Sequence, residues 1–124
     1  MTKTAKFLKE CKHWWIVTNN GMYPSARPFG ALMVWKERLY MPTNRNKKVY
    51  KQLIFNNHVC IVAIKPGKRE WIRMTADAKI SHDISLKKRM WNQNPVLQKI
   101  YGSFENDEFQ LLEFHVRSKE IHLD

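Results

Sequence analysis

The chain has 124 residues, enough for one domain with a real core and too few for two ordinary ones. Hydrophobic residues make up 44% of it and aromatics 12%, which excludes a disordered polymer, and no run approaches the ~20 apolar residues of a membrane-spanning helix. Lysine and arginine outnumber the acids 22 to 11, a net charge of +11. That balance favours polyanions, anionic surfaces or phosphorylated ligands and says nothing about fold.

In chain order, the spacing of Ala5, Leu8 and Cys11 or Lys12 predicts a short helix over residues 4–12. No signal-peptide apolar core follows this basic start. The two cysteines, Cys11 and Cys60, form no CxxC pair, which fits a reducing, cytoplasmic setting. "HWWIVTN" (13–19) predicts a strand stopped by Asn19-Asn20-Gly21. "RPFGALMVW" (27–35) predicts one continuous second strand, apolar on both faces and so covered on both. Lys36-Glu37-Arg38 turns it into a third, "LYMPT" (39–43).

Val49 with Leu53, and Tyr50 with Ile54, make i,i+4 pairs on a short amphipathic helix. "HVCIVAI" (58–64) is a buried strand, Pro66-Gly67 suits a type II turn, and "REWIRMTADAKI" (69–80) alternates. Its core face is Ile72, Met74, Ala76, Ala78 and Ile80, leaving Trp71, Arg73, Thr75, Asp77 and Lys79 outside. A helix is expected from the N-cap Asp83 to Trp91. Another has Asn94 as N-cap, Pro95 at its first position, Val96, Leu97, Ile100 and Tyr101 inward, and Gly102 as its stop. "EFQLLEFHV" (108–116) is a strand and "EIHLD" (120–124) a short last one. Six or so antiparallel strands with peripheral helices describe a mainly β chain, a small β-barrel, spanning 1–124 as a single domain.

The stretch "PTNRNKKVYKQL" (42–53) carries the clearest chemistry. Thr43 and Asn44 end a strand, and Lys47, Lys48 and Lys51 crowd the start of the next helix. Helix starts have unpaired N–H groups and a positive dipole end, so cations there oppose the helix, which would prefer Asp or Glu. The arrangement makes sense if a phosphate supplies the missing negative charge; the bland alternative is a solvated basic face. Neither GxxxxGK[ST] nor GxGxxG occurs, so a P-loop and a dinucleotide fingerprint are unsupported.

Taken together, "ARPFGALMVWKERLYMPTNRNKKVYKQL", "HVCIVAI", "REWIRMTADAKI" and "NPVLQKIY" resemble the FMN-binding split-barrel proteins related to pyridoxamine 5'-phosphate oxidase. The likeness runs from about Trp15 to Phe114 and lies in the order and spacing of several motifs. It implies a six-stranded antiparallel split barrel, a homodimer, and two FMN molecules at the subunit interface. It further implies that Arg27, Pro28, Phe29 and Gly30 lie along the flavin ring. Arg27 would also reach the phosphate or ring carbonyls, and Thr43, Asn44, Lys47, Lys48 and Gln52 would grip the phosphate. Trp71 and Arg73 would approach the flavin bound mainly by the other subunit. The function so implied is an FMN-dependent oxidoreductase moving hydride or electrons from NAD(P)H to a small-molecule acceptor. The chain stops at "FHVRSKEIHLD" without the second arginine of an Arg-Leu-Xaa-Arg motif, so oxidation of vitamin B6 itself is not expected.

The residues name no dedicated general base. His13, His58, His82, His115 and His122 show no HxH or HExxH spacing, so no metal is expected, and His58 reads as structural. Tyr23 and Tyr101 could serve a substrate pocket but read first as packing residues. Two other functions compete. A nucleic-acid-binding barrel would use the aromatics and 22 basic residues for stacking and charge, but the aromatics fall at buried-looking positions and the lysines are dispersed. A flavin or haem carrier would use the same barrel without turnover.

Overall fold

The computed structural model describes residues 1–123. Four helices, α1 (Thr2–Cys11), α2 (Lys48–Phe55), α3 (Ile84–Gln93) and α4 (Pro95–Tyr101), accompany seven strands. The strands are β1 (Trp14–Asn19), β2 (Pro24–Phe29), β3 (Met33–Trp35), β4 (Arg38–Asn44), β5 (His58–Ile64), β6 (Trp71–Ser81) and β7 (Phe109–His122). All pairings are antiparallel, in the order β2-β1-β5-β6-β7-β4-β3.

That order forces closure. β2 and β3 lie at opposite edges of the seven-stranded sheet. Phe29 and Met33 can be at most about 14 Å apart along the chain, whereas the edges of a flat sheet of this width would be about 29 Å apart. The sheet therefore curls until its edges approach without pairing, and a split barrel results. The expected single strand over 27–35 is accordingly two strands, broken at Gly30-Ala31-Leu32 where the chain crosses from one edge to the other. Local pattern conceals the break because Leu32 within it and Met33 beyond it stay buried. Nor is β2 covered on both faces: Pro24, Ala26 and Pro28 are exposed.

Alternation fills the barrel. Trp14, Ile16, Leu39, Met41, Ile61, Ile72, Met74, Leu112 and Phe114 point inward, capped by Leu8 and Cys11 of α1 and by Val49 and Leu53 of α2. Trp14 Nε1 donates to Met41 Sδ at 3.1 Å, giving the buried indole a partner. A second core of Met33, Tyr40, Leu86, Met90, Leu97, Phe109 and Leu111 joins α3 and α4 to the barrel wall.

The turn and cap residues act as their chemistry requires. Asp83 accepts from the Ser85 and Leu86 N–H groups, Gly67 has φ 68° in the turn after β5, and Gly102 ends α4 in the left-handed region. Asn94 makes no side-chain cap; its Nδ2 donates to Met90 O at 2.9 Å and closes α3 instead. Two further readings change. Residues 120–122 are no separate strand but the end of β7, which continues past a bulge, while Asp124 lies outside the described residues. Val96 and Ile100 face outward, because α4 docks through the i,i+4 stripe Leu97–Tyr101; Ile54 is likewise exposed while Leu53 is buried.

Candidate functional site

The inward face of β2 carries Ser25, Arg27 and Phe29 towards β1 and α2. There Arg27 is anchored by four neutral acceptors. One guanidinium nitrogen donates to Ile16 O at 3.0 Å and Thr18 Oγ1 at 2.7 Å. The other donates to Ser25 Oγ and Gln52 Oε1, both at 2.9 Å. Thr18, only 2% exposed, in turn donates to Gln52 Oε1. Among the described residues no carboxylate pairs with Arg27, and burial lowers its pKa from the ordinary arginine value. A half-buried cation with no counterion is costly unless something else supplies the charge.

Gln52 stands one helical turn after Lys48, so α2 ties this network to the basic turn. Lys47 is the N-cap of α2 and Lys48 its first residue; the first turn holds no acid, and Lys47 makes no side-chain cap. Lys47, Lys48 and Lys51 are exposed and, among the described residues, form no ion pair. Thr43 is 4% exposed and its Oγ1 has no hydrogen-bond partner. An orphaned buried hydroxyl beside a helix start is a site still wanting an acceptor or donor.

Asn44 faces the opposite way. Its Oδ1 accepts from Asn46 N at 2.8 Å, so it shapes the turn before α2. Pro28 points outward opposite Trp15, Phe29 packs on the barrel core, and Gly30 begins the edge-to-edge crossing. Arg27, Gln52, Lys47, Lys48 and Thr43 are thus associated with one end of the barrel through β2, α2 and the end of β4.

Trp71 and Arg73 lie on the outer face of β6 and do not join them within one chain. Trp71 stacks on His122 with centroids 4.3 Å apart and planes 8° from parallel. The Arg73 guanidinium lies 5.3 Å from the Trp71 ring centre, and its Nε donates to Glu120 Oε2 at 2.8 Å. That bond raises the Arg73 pKa and lowers that of Glu120. Around them the outer sheet face is apolar, with Trp15 49% exposed and Val17, Val62 and Ile64 beside it.

The sequence reading does not single out Thr18 or Ser25. The signal for Thr18 was present: strand alternation puts it on the same face as Trp14 and Ile16, and a polar side chain there needs a partner. Ser25, two residues before Arg27 on the same strand face, follows by the same rule.

A curled antiparallel sheet with edges joined but unpaired defines a split barrel, and a basic helix start leading to an unpaired inward arginine marks one end of it. The chain belongs to the pyridoxamine 5'-phosphate oxidase family, which it matches over residues 1–121. It is similar to a NimC/NimA family protein from Clostridium acetobutylicum at 31% identity, covering 98% of this chain and 90% of that one, with a TM-score of 0.87. The general stress FMN/FAD-binding protein from Xanthomonas citri shares the fold at 18% identity, 98% and 86% coverage, and a TM-score of 0.80. So does the haem storage protein HutZ from Vibrio cholerae, at 14% identity, 98% and 92% coverage, and a TM-score of 0.75. No curated protein sequence matches the chain. No described helix is long and apolar enough to cross a membrane, and no group of three or more His, Cys, Asp or Glu among the described residues could hold a metal.

Proposed function

We propose that the chain is an FMN-binding oxidoreductase that works as a homodimer and passes hydride or electrons from NAD(P)H to a small-molecule acceptor. The observation that carries this reading is the Arg27 guanidinium, held by neutral groups alone next to a helix that starts on Lys47 and Lys48 with no acid. The residues present fit the group. Lys47, Lys48 and the free N–H groups of α2 would hold the 5'-phosphate, with the unpartnered Thr43 hydroxyl available to it. Bound FMN would supply the redox chemistry. Gln52, Thr18 and Ser25 fix the Arg27 fork, so its positive charge is aimed before any ligand arrives.

The outer face supports the second chain. A tryptophan half exposed amid valines and an isoleucine leaves apolar area that a two-fold copy of the same face would cover. In such a pair Trp71 would cover the flavin held by the partner. Arg73, already bonded to Glu120, would stiffen Trp71 rather than meet the flavin itself.

The test is the visible absorption spectrum of the purified protein before and after adding FMN. Flavin bands that shift on binding support the reading and lead to an NAD(P)H oxidation assay. A colourless protein that leaves FMN unperturbed refutes it. A haem carrier without turnover is the second reading, favoured by the likeness to the haem storage protein, and a Soret band would reveal it.

A further inference from the structure

The lysines are scattered along the chain, but the fold lines several of them up on α1. Lys3, Lys6 and Lys9 stand three residues apart on the exposed side of that helix, and Lys12 ends it. The row is about 14 Å long. β1 leaves α1 at Trp14 and meets Gln52 of α2 at Thr18, so the row and the basic turn of α2 lie at opposite ends of that strand. Like charges at this spacing repel on a helix, and Lys3 stands at the positive end of the dipole. The stability of α1 therefore does not explain the row.

The neighbouring acids are already engaged. Glu10 and Glu70 both hold Lys65, at 3.1 and 2.7 Å, and Glu37 holds the N-terminal ammonium at 3.2 Å. Among the described residues, Lys3, Lys6, Lys9 and Lys12 form no ion pair. The turn between β5 and β6, tied to α1 through Lys65, adds Lys68 and Arg69, both exposed.

Beside the row runs an open groove of about 600 Å³. Lys6 and Lys9 line its α1 wall, the edge strand β3 gives it an apolar floor of Met33 and Val34, and Gln93 of α3 closes the far side. Glu10, the acid on the α1 wall, is the one bound to Lys65. One helical turn before Gln93, the Arg89 guanidinium lies 3.9 Å from the centre of the Trp35 ring, in the residue that follows Val34. Arg89 is exposed, so the side of its plane away from Trp35 is open to a second flat group. Lys36 Nζ lies 5.9 Å from the same ring centre. Cations thus stand on both rims, with apolar side chains between them.

This arrangement selects among polyanions. A lipid surface needs apolar side chains beside the cations, and α1 buries its own, Ala5, Phe7, Leu8 and Cys11. A duplex keeps its bases inside and gives Arg89 nothing to stack on. A single strand presents phosphates and open bases together. We infer that the groove between α1 and α3 binds single-stranded nucleic acid, with phosphates on the α1 lysines and a base on the Arg89–Trp35 pair. The inference does not rest on flavin binding.

Fluorescence anisotropy of a labelled oligothymidylate over a salt series tests it. Four phosphate contacts predict a log–log salt slope of about −3, at about −0.7 for each. Lys6→Ala/Lys9→Ala puts good helix formers at two exposed positions, and circular dichroism checks its fold. It should weaken the strand about tenfold and flatten the slope by about 1.4. Arg45→Ala/Lys99→Ala removes the same charge elsewhere and should change neither quantity. Arg89→Lys keeps the charge and loses the plane, so affinity should fall about fivefold with the slope unchanged. No binding at low salt, or equal losses in the two double variants, would leave only net charge and overturn the inference. Polyglutamate bound as tightly as the oligonucleotide would give the face to an acidic peptide instead. Displacement of the oligonucleotide by FMN would move the strand to the α2 end and equally overturn it. FMN titration of Lys6→Ala/Lys9→Ala reports separately on the flavin reading.

Discussion

Replacing Lys47 and Lys48 together with alanine separates phosphate binding from helix stability, because the two effects have opposite signs. Both lysines sit at the positive end of the α2 dipole, where they oppose it, and neither caps the helix with its side chain. Removing them should stabilise the ligand-free protein by about 1 kcal/mol in all, raising Tm by about 4 °C for a chain of this size. FMN, by contrast, should lose its phosphate contacts. A fully formed charge-assisted hydrogen bond is worth about 1.5–3 kcal/mol, but these side chains are exposed, so about 1 kcal/mol each is the screened figure. The sum, about 2 kcal/mol, corresponds to about 30-fold weaker FMN. Riboflavin has the same ring and no phosphate, so its affinity should not change. Fluorescence titration of both ligands at two salt concentrations is the assay, and the variant should also show a flatter salt dependence for FMN. Equal losses for FMN and riboflavin, or a fall in the Tm of the ligand-free protein, would refute the argument that this turn is built around a phosphate.

Thr43→Val keeps the shape of a 4% exposed residue and removes a hydroxyl without a partner, so it should stabilise the ligand-free protein by about 1 kcal/mol and weaken FMN; thermal melts and the same titration check it, and a loss of stability would mean the hydroxyl is satisfied. Trp15→Glu places a charge in the middle of the apolar outer face. Sedimentation should show a dimer for the unaltered protein and a monomer for the variant; an unaltered protein that sediments as a monomer ends the two-fold reading. Asp77 is held low by Arg117 and then His58, and Glu120 by Arg73. A carboxyl whose folded pKa is depressed contributes stability that is complete above its unfolded pKa, about 4, and lost as the pH falls through the lower folded value. Asp77→Asn should therefore flatten the acid limb of the stability curve below about pH 4, as urea melts along a pH series would show.

The alternation of residues 71–80, the Asp83 cap, the Gly67 turn, the Gly102 stop and the basic start of α2 were all determined by the sequence alone. Each depends on neighbours within four residues, and the side-chain period or backbone freedom that decides it is written locally. The order of motifs likewise carried the family. Only the tertiary structure decided where residues 27–35 break, because the break depends on two sheet edges meeting, not on any residue in it. Only it decided that α4 buries Leu97 and Tyr101 rather than Val96 and Ile100, since two apolar stripes competed and one second core was available. The site divides in the same way. The cations of α2 could be read directly, whereas Thr18 and Ser25 meet Arg27, and Arg117 meets Asp77, only through strand register and a one-residue bulge. Register couples residues far apart in the chain, and no local pattern encodes which side chains it will bring together.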